Sequence, residues 1–154
     1  MVTKIISGAQ TGADRAGLDA GLALGLEVGG WVPYGKRTDE GPLSSEEMAR
    51  YNLRQHASSG YPARTEQNVR ESDGTVLFGN PYSPGCSLTV KLCLRHKKPY
   101  LSMESVGYES AELLRWILNE RIQVLNVAGN RERTNKGIYQ LTLTTLLKAL
   151  GPSV

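Results

Sequence analysis

The chain opens VTKIISGAQTGADRAGLD, a β-branched strand that passes through a small-residue turn straight into a helix. That succession constrains the fold more than any other stretch. It sets the free N–H groups of a helix N-terminus at the carboxyl end of a strand, where open parallel sheets bind anions. Between Ser7 and Ala9 no bulky side chain intervenes, so a phosphate can approach the main chain closely.

Buried parallel strands read as short continuous apolar runs rather than alternating ones. Such runs stand at residues 4–7, 75–78, 99–102 and 124–127, with Glu27–Val32 as a fifth whose glycines weaken it. Helical patterns separate them, at 14–24 with Gly25 as its stop, at 88–95, at 110–121 and at 134–150. Leu113, Leu114, Ile117 and Leu118 mark one clear apolar face. Ser44 and Glu47 have capping-box spacing, and Thr65 is placed to cap a helix running to Ser72. Strands alternating with helices predict an α/β, Rossmann-like three-layer fold with a mainly parallel sheet. The 154 residues suffice for one domain over 1–154, with a long excursion after the second strand.

Composition excludes several classes of function. A net charge of +3 with no basic stripe argues against nucleic acid. No apolar run is long enough to span a bilayer, and no leader is visible, so a cytoplasmic setting without membrane is expected. Cys86 and Cys93 fit a reducing compartment. His56 and His96 belong to no cluster with metal-ligand spacing, so no metal site is expected.

Three loops should meet at the carboxyl edge of such a sheet. The first holds Ser7, Gly8, Ala9, Gln10, Thr11, Asp14 and Arg15, with Asp14 either a helix cap or a ligand contact. The second runs from Gly79 through Gly85, Cys86, Ser87 and Thr89 into another helix start. Cys86 there is either a partly ionised thiol or a packed one. The third holds Asn126, Gly129 and Arg131; Asn126 bonds locally or to a ligand, and Arg131, Arg133 and Lys136 form a solvated patch or, alternatively, reach a phosphate. The excursion adds Trp31 and Pro33, a stacking wall or core, and Arg64 with Thr65 as an anion clamp.

These segments together resemble the molybdenum cofactor carrier family. The shared stretches are SGAQTGADR with Leu18-Asp19, GGWVP with Gly35 and Arg37, and Glu40-Gly41-Pro42. YPARTEQNV with Ser72-Asp73-Gly74-Thr75, Leu88-Thr89, LNVAG and Ile138-Tyr139 complete the match along nearly the whole chain. The resemblance implies a fold related to lysine-decarboxylase-like, nucleotide-handling proteins. It implies binding of molybdenum cofactor, a pyranopterin dithiolene with a terminal phosphate, and a homo-oligomer, dimer or tetramer. Ala9 stands where the family usually has a second glycine, and Cys86 where a small or hydroxyl residue is usual.

A carrier needs no general acid or base, and no nucleophile–base pair stands out in this chain. The expected reading is a non-catalytic carrier that binds, protects and delivers the cofactor, with molybdoenzymes as recipients. Gly8, Ala9, Gln10 and Thr11 would form one cradle and Gly85, Cys86, Ser87 and Thr89 the other. Arg64 would supply charge and Trp31 or Pro33 a wall. One alternative is a nucleotide hydrolase, but the glutamate expected three residues after Thr89 is replaced by Leu92. Another is a nucleotide-sensing module. Cofactor, molybdate and nucleotide phosphate are all anions that suit the same cradle.

Overall fold

The computed structural model describes residues 1–104 and 109–152. In chain order it runs β1 (Lys4–Ile6), α1 (Ala13–Ala23), β2 (Glu27–Val32), α2 (Ser45–Arg50), β3 (Leu53–Gln55) and α3 (Tyr61–Glu71). Then follow β4 (Gly74–Phe78), α4 (Pro84–Arg95), β5 (Tyr100–Met103), α5 (Ser110–Asn119), β6 (Val124–Gly129) and α6 (Ile138–Leu150).

The strands form one sheet in the order β3-β2-β1-β6-β4-β5, and every pairing is parallel. The apolar runs explain the centre. β4 is buried along its whole length, as a strand covered on both faces must be. Helices α1, α5 and α6 pack together on one face, while α3 and α4 pack together on the other. The larger core holds Ile5, Val76, Phe78, Leu125 and Val127 of the sheet against Leu113, Ile117, Ile138 and Leu146 of the helices. A smaller cluster under α3 and α4 is built from Val69, Leu92 and Cys93. The fold class is the one expected, with a sheet that is parallel throughout.

Element boundaries differ from the sequence reading at three helix starts. α3 begins at Tyr61 with Pro62 in its first turn, so Thr65 lies inside the helix and caps nothing. α4 begins at Pro84, four residues before the predicted start. α6 begins at Ile138, because Gly137 takes φ +94° and the Glu132 carboxylate accepts from the N–H groups of Gly137 and Tyr139. β3 has no counterpart in the sequence reading, since Leu53-Arg54-Gln55 contains one apolar residue and pairs only with β2.

The capping box on α2 is present as predicted. Ser44 Oγ accepts from the Glu47 N–H at 3.0 Å, and Glu47 Oε1 accepts from the Ser44 N–H at 3.0 Å. Ser44→Ala removes the cap and is expected to lower stability by about 1 kcal/mol, read as a fall in the urea midpoint. An unchanged midpoint would mean that the short helix is held by Tyr51 and Arg15 instead.

Candidate functional site

β6 is inserted between β1 and β4, so the crossovers leaving β1 and β4 diverge around its carboxyl end. This is a topological switch point, where open α/β sheets leave a crevice. A cleft of about 330 Å³ lies there, at the lower end of the range for small-molecule sites. Gly8, Gln10 and Asp14 border it from the β1–α1 loop, and Tyr61, Arg64 and Asn68 from α3. Gly85, Cys86 and Thr89 border it from α4, Asn126 and Gly129 from β6, and Arg131 from the following loop.

The first loop does not offer its main chain as the sequence suggested. The Ala9 N–H donates to Ser7 Oγ, the Gln10 N–H to Asp14 Oδ2, and the Thr11 N–H to Gln10 Oε1. The Ala13 N–H donates to the Asn130 carbonyl. Buried amides need acceptors, and those of Ala9, Gln10 and Thr11 find them within the turn and that of Ala13 on the neighbouring loop. Ala9 is fully buried against the cluster of Leu18, Val28 and Val32 and lies outside the cleft. It keeps φ +60°, a left-handed conformation, so alanine preserves the turn at a strain that glycine would avoid.

The second loop does present main-chain donors. Ser83, the N-cap of α4, makes no side-chain bond to the helix, because its hydroxyl accepts from Asn130 Nδ2 at 3.2 Å. Pro84 has no N–H, which leaves the first-turn amides of Gly85 and Cys86 at the cleft wall. A Cβ on Gly85 would meet nothing within 4 Å, so the space in front of it is open. The loop owes this form to Asn130, whose Oδ1 accepts from the Asn80 N–H at 2.7 Å while Nδ2 also contacts Cys86 Sγ at 3.6 Å. Cys86 is buried and burial pushes its thiol up, so of the two readings it takes the packed, unreactive one. Thr89 Oγ1 donates to the Gly85 carbonyl of its own helix.

Charge enters from α3. Arg64 is buried; its Nη1 donates to the Gly8 carbonyl at 2.7 Å, and its Nε meets no acceptor in the protein. Gly8 is required for this approach, since a Cβ there would collide with Arg64 Nη1. Asp14 Oδ2 lies against the same point. Burial pushes the Asp14 carboxyl up to about 6, against the lowering pull of Arg64, the Gln10 N–H, Arg131 and Arg15. The Tyr61 ring has the guanidinium carbons of Arg37, Arg64 and Arg131 at 5.3, 5.2 and 5.4 Å from its centroid, within cation–π range. Arg131 is held by Asp39 at 2.8 Å. Its side chain, 35% exposed, borders the cleft, the lesser of the two sequence readings for it.

Ten of the sequence candidates meet here: Gly8, Gln10, Asp14, Arg64, Thr65, Gly85, Cys86, Thr89, Asn126 and Gly129. Asn126 also has a local bond, from Nδ2 to Thr75 Oγ1. The others lie elsewhere. Thr11 and Arg15 border a second hollow with Glu132 and Tyr139. Ser87 donates its N–H to the Ser83 carbonyl within the first turn of α4. Pro33 is buried outside the cleft. Trp31 gives its indole N–H to Glu71 at 2.7 Å under the Arg54 guanidinium, also away from the cleft. Tyr61, Asn68 and Arg131 also border the cleft; the sequence places them in rim segments but gives Tyr61 and Asn68 no role of their own. Pro62 is the signal for the first two, since proline marks a first helical turn and puts Arg64 and Asn68 on one face, four apart.

Among the described residues, no group of three or more His, Cys, Asp or Glu is placed to hold a metal ion. Nor is any helix there long and apolar enough to cross a membrane.

The family model described as the circularly permutated YpsA SLOG family matches residues 5–150. The crystal structure of the Putative molybdenum carrier protein from Syntrophus aciditrophicus SB is similar to the chain, at 36% identity and a TM-score of 0.87. The likeness covers 98% of this chain and 96% of that one. Among curated proteins there is no match.

Proposed function

The chain belongs to the circularly permutated YpsA SLOG family, and from that membership we propose that it is a non-catalytic carrier of molybdenum cofactor. The cofactor is cargo, bound by its anionic end, shielded and handed on. One observation carries the reading: the uncapped start of α4 and the buried Arg64 guanidinium border the same cleft at the sheet's switch point. A helix N-terminus and a guanidinium are each suited to a phosphate-type group. Arg64 Nε, buried without an acceptor, fits a partner arriving from outside the protein. Leu88, Val127 and Ala128 supply apolar wall beside these donors. The name borne by the Syntrophus relative supports molybdenum as part of the cargo. Molybdoenzymes are the recipients in this reading, the compartment is the cytoplasm, and the assembly is a dimer or tetramer.

The test is to purify the protein from a host that makes the cofactor, then measure bound molybdenum and oxidised-pterin fluorescence. Both are expected in constant ratio to protein. Protein that emerges with neither, from a host shown to contain the cofactor, would overturn the carrier reading.

A second reading has one observation in its favour. A carboxyl poised near pH 6 in a cleft is what a general acid on a nucleoside phosphate would need. It predicts turnover of a nucleoside monophosphate that Asp14→Asn abolishes, and absence of turnover across nucleotides retires it.

A further inference from the structure

Gln10 is 5% exposed and lines the cleft. Its amide orientation is fixed by two main-chain donors: Oε1 accepts from the Thr11 N–H at 3.0 Å and from the Asp39 N–H at 2.9 Å. Exchanging oxygen and nitrogen would set an NH₂ group against two N–H groups, so the assignment has no degenerate alternative. The two Nε2 hydrogens are then the ones that meet no acceptor in the protein. Buried donors are rarely left unpaired, and each such group calls for an explanation. Arg64 repeats the pattern from another element, with Nη1 bonded to Gly8 and Nε unpaired.

We propose that Gln10 is a specificity-determining residue whose side-chain NH₂ donates to an oxyanion of the cargo, so that the cleft selects a ligand ending in a tetrahedral oxyanion. Oxygen held on the protein side and nitrogen left over is the orientation such a ligand requires. A neutral carbonyl would satisfy Nε2 as well, but not the positive surroundings. Arg64 and Arg131 border the same cleft, and the N-terminus of α4 adds its partial charge. The opposing charge is Asp14, which Arg64, Arg131, Arg15 and the Gln10 N–H all face. Phosphate and molybdate share this chemistry. The inference takes the cargo's identity from the carrier reading, while the oxyanion preference stands on the donors alone.

Gln10→Glu separates this role from the residue's part in holding the loop. The variant keeps an oxygen for the Thr11 and Asp39 amides and replaces the NH₂ by a second oxygen. Calorimetric titration with inorganic phosphate and, separately, with sodium molybdate is run on both proteins near neutral pH. The oxyanion that wild type prefers is expected to bind the variant at least about tenfold more weakly, or about 1.4 kcal/mol. The buried carboxyl beside Asp14 also costs stability at neutral pH, so affinity is compared at a temperature where thermal melts show both proteins folded. The deficit should narrow at about pH 5, as the introduced carboxyl gains a proton and offers an O–H, which a merely structural role would not produce. A second measurement needs no variant: the Gln10 side-chain amide resonances of ¹⁵N-labelled wild type should shift as the oxyanion saturates. Equal affinity in the variant, wild type that binds neither oxyanion, or resonances unmoved at saturation would each overturn the proposal. Co-purified pterin and molybdenum judge the carrier reading separately, so the two fail independently.

Discussion

Replacing Arg64 by alanine is expected to weaken a phosphate-bearing ligand by roughly 10- to 150-fold, the equivalent of one charge-assisted bond of ~1.5–3 kcal/mol. The size follows from burial. Arg64 is 8% exposed, so its guanidinium meets a ligand with little water to screen it. The variant carries a second signature. Arg64 is the largest force holding the Asp14 carboxyl down, and without it that carboxyl rises further above 6. A variant examined at about pH 8 keeps a buried carboxylate that has lost its strongest attraction and should be clearly less stable than wild type. At about pH 5 Asp14 is protonated in both proteins and the difference should shrink, leaving mainly the bond lost to the Gly8 carbonyl. Urea melts at the two pH values read this directly. A stability loss of the same size at both would show that Asp14 and Arg64 are not coupled, and unchanged ligand affinity would show that the clamp is misplaced.

What the sequence made legible was the middle of the sheet and the rim beneath it. β1, β4 and β6 are covered on both faces, so their runs are predominantly apolar, broken by Thr75 and Asn126, and the loops that follow them fall at one edge. β3, at one edge, holds a single apolar residue and carries no such signal, whereas β5, at the other edge, is legible from its run at 99–102. Apolar periodicity in α4 sets in only at Leu88, four residues after the helix starts, and the local cue to the true start is Pro84 in the first turn. A different kind of failure concerns the first loop. SGAQTG reads as a main-chain anion cradle, yet its amides bond to Ser7, Gln10, Asp14 and Asn130. Only coordinates reveal which donors are already taken. Arg131 is the converse case. Its place at the cleft rim is held by Asp39, 92 residues away, and no local pattern reports a pairing at that distance.

Asp14→Asn is expected to make the protein more stable near neutral pH, although it removes a charged group from an ion-paired environment. The sign follows from the pKa. Asp14 has its carboxyl raised from 3.8 to about 6 in the folded chain, so between those values the fold holds a proton that the unfolded chain has lost. Stability therefore falls as pH rises through that window and stays low above it. The shift corresponds to about 3 kcal/mol at neutral pH, borne by the wild type and absent from a residue that cannot ionise. That figure is already net of the attraction to Arg64, and since an asparagine amide only approximates the neutral carboxyl, a gain of about 1–3 kcal/mol is expected at pH 7–8. The asparagine carbonyl can still accept from the Gln10 N–H, so the loop keeps its form. Below about pH 4 the advantage should vanish, because Asp14 is then neutral in both states. The same substitution removes the negative charge that an entering oxyanion must sit beside. Wild type is thus expected to bind molybdate, which stays a dianion throughout, more tightly as pH falls from 8 toward 6, and the variant to bind it with little change across that range. Parallel stability curves for the two proteins from pH 4 to 8 would show that the Asp14 carboxyl titrates in its ordinary range. The stability that wild type gives up at this position would then have some other origin, and the cleft would lose its proton-linked element.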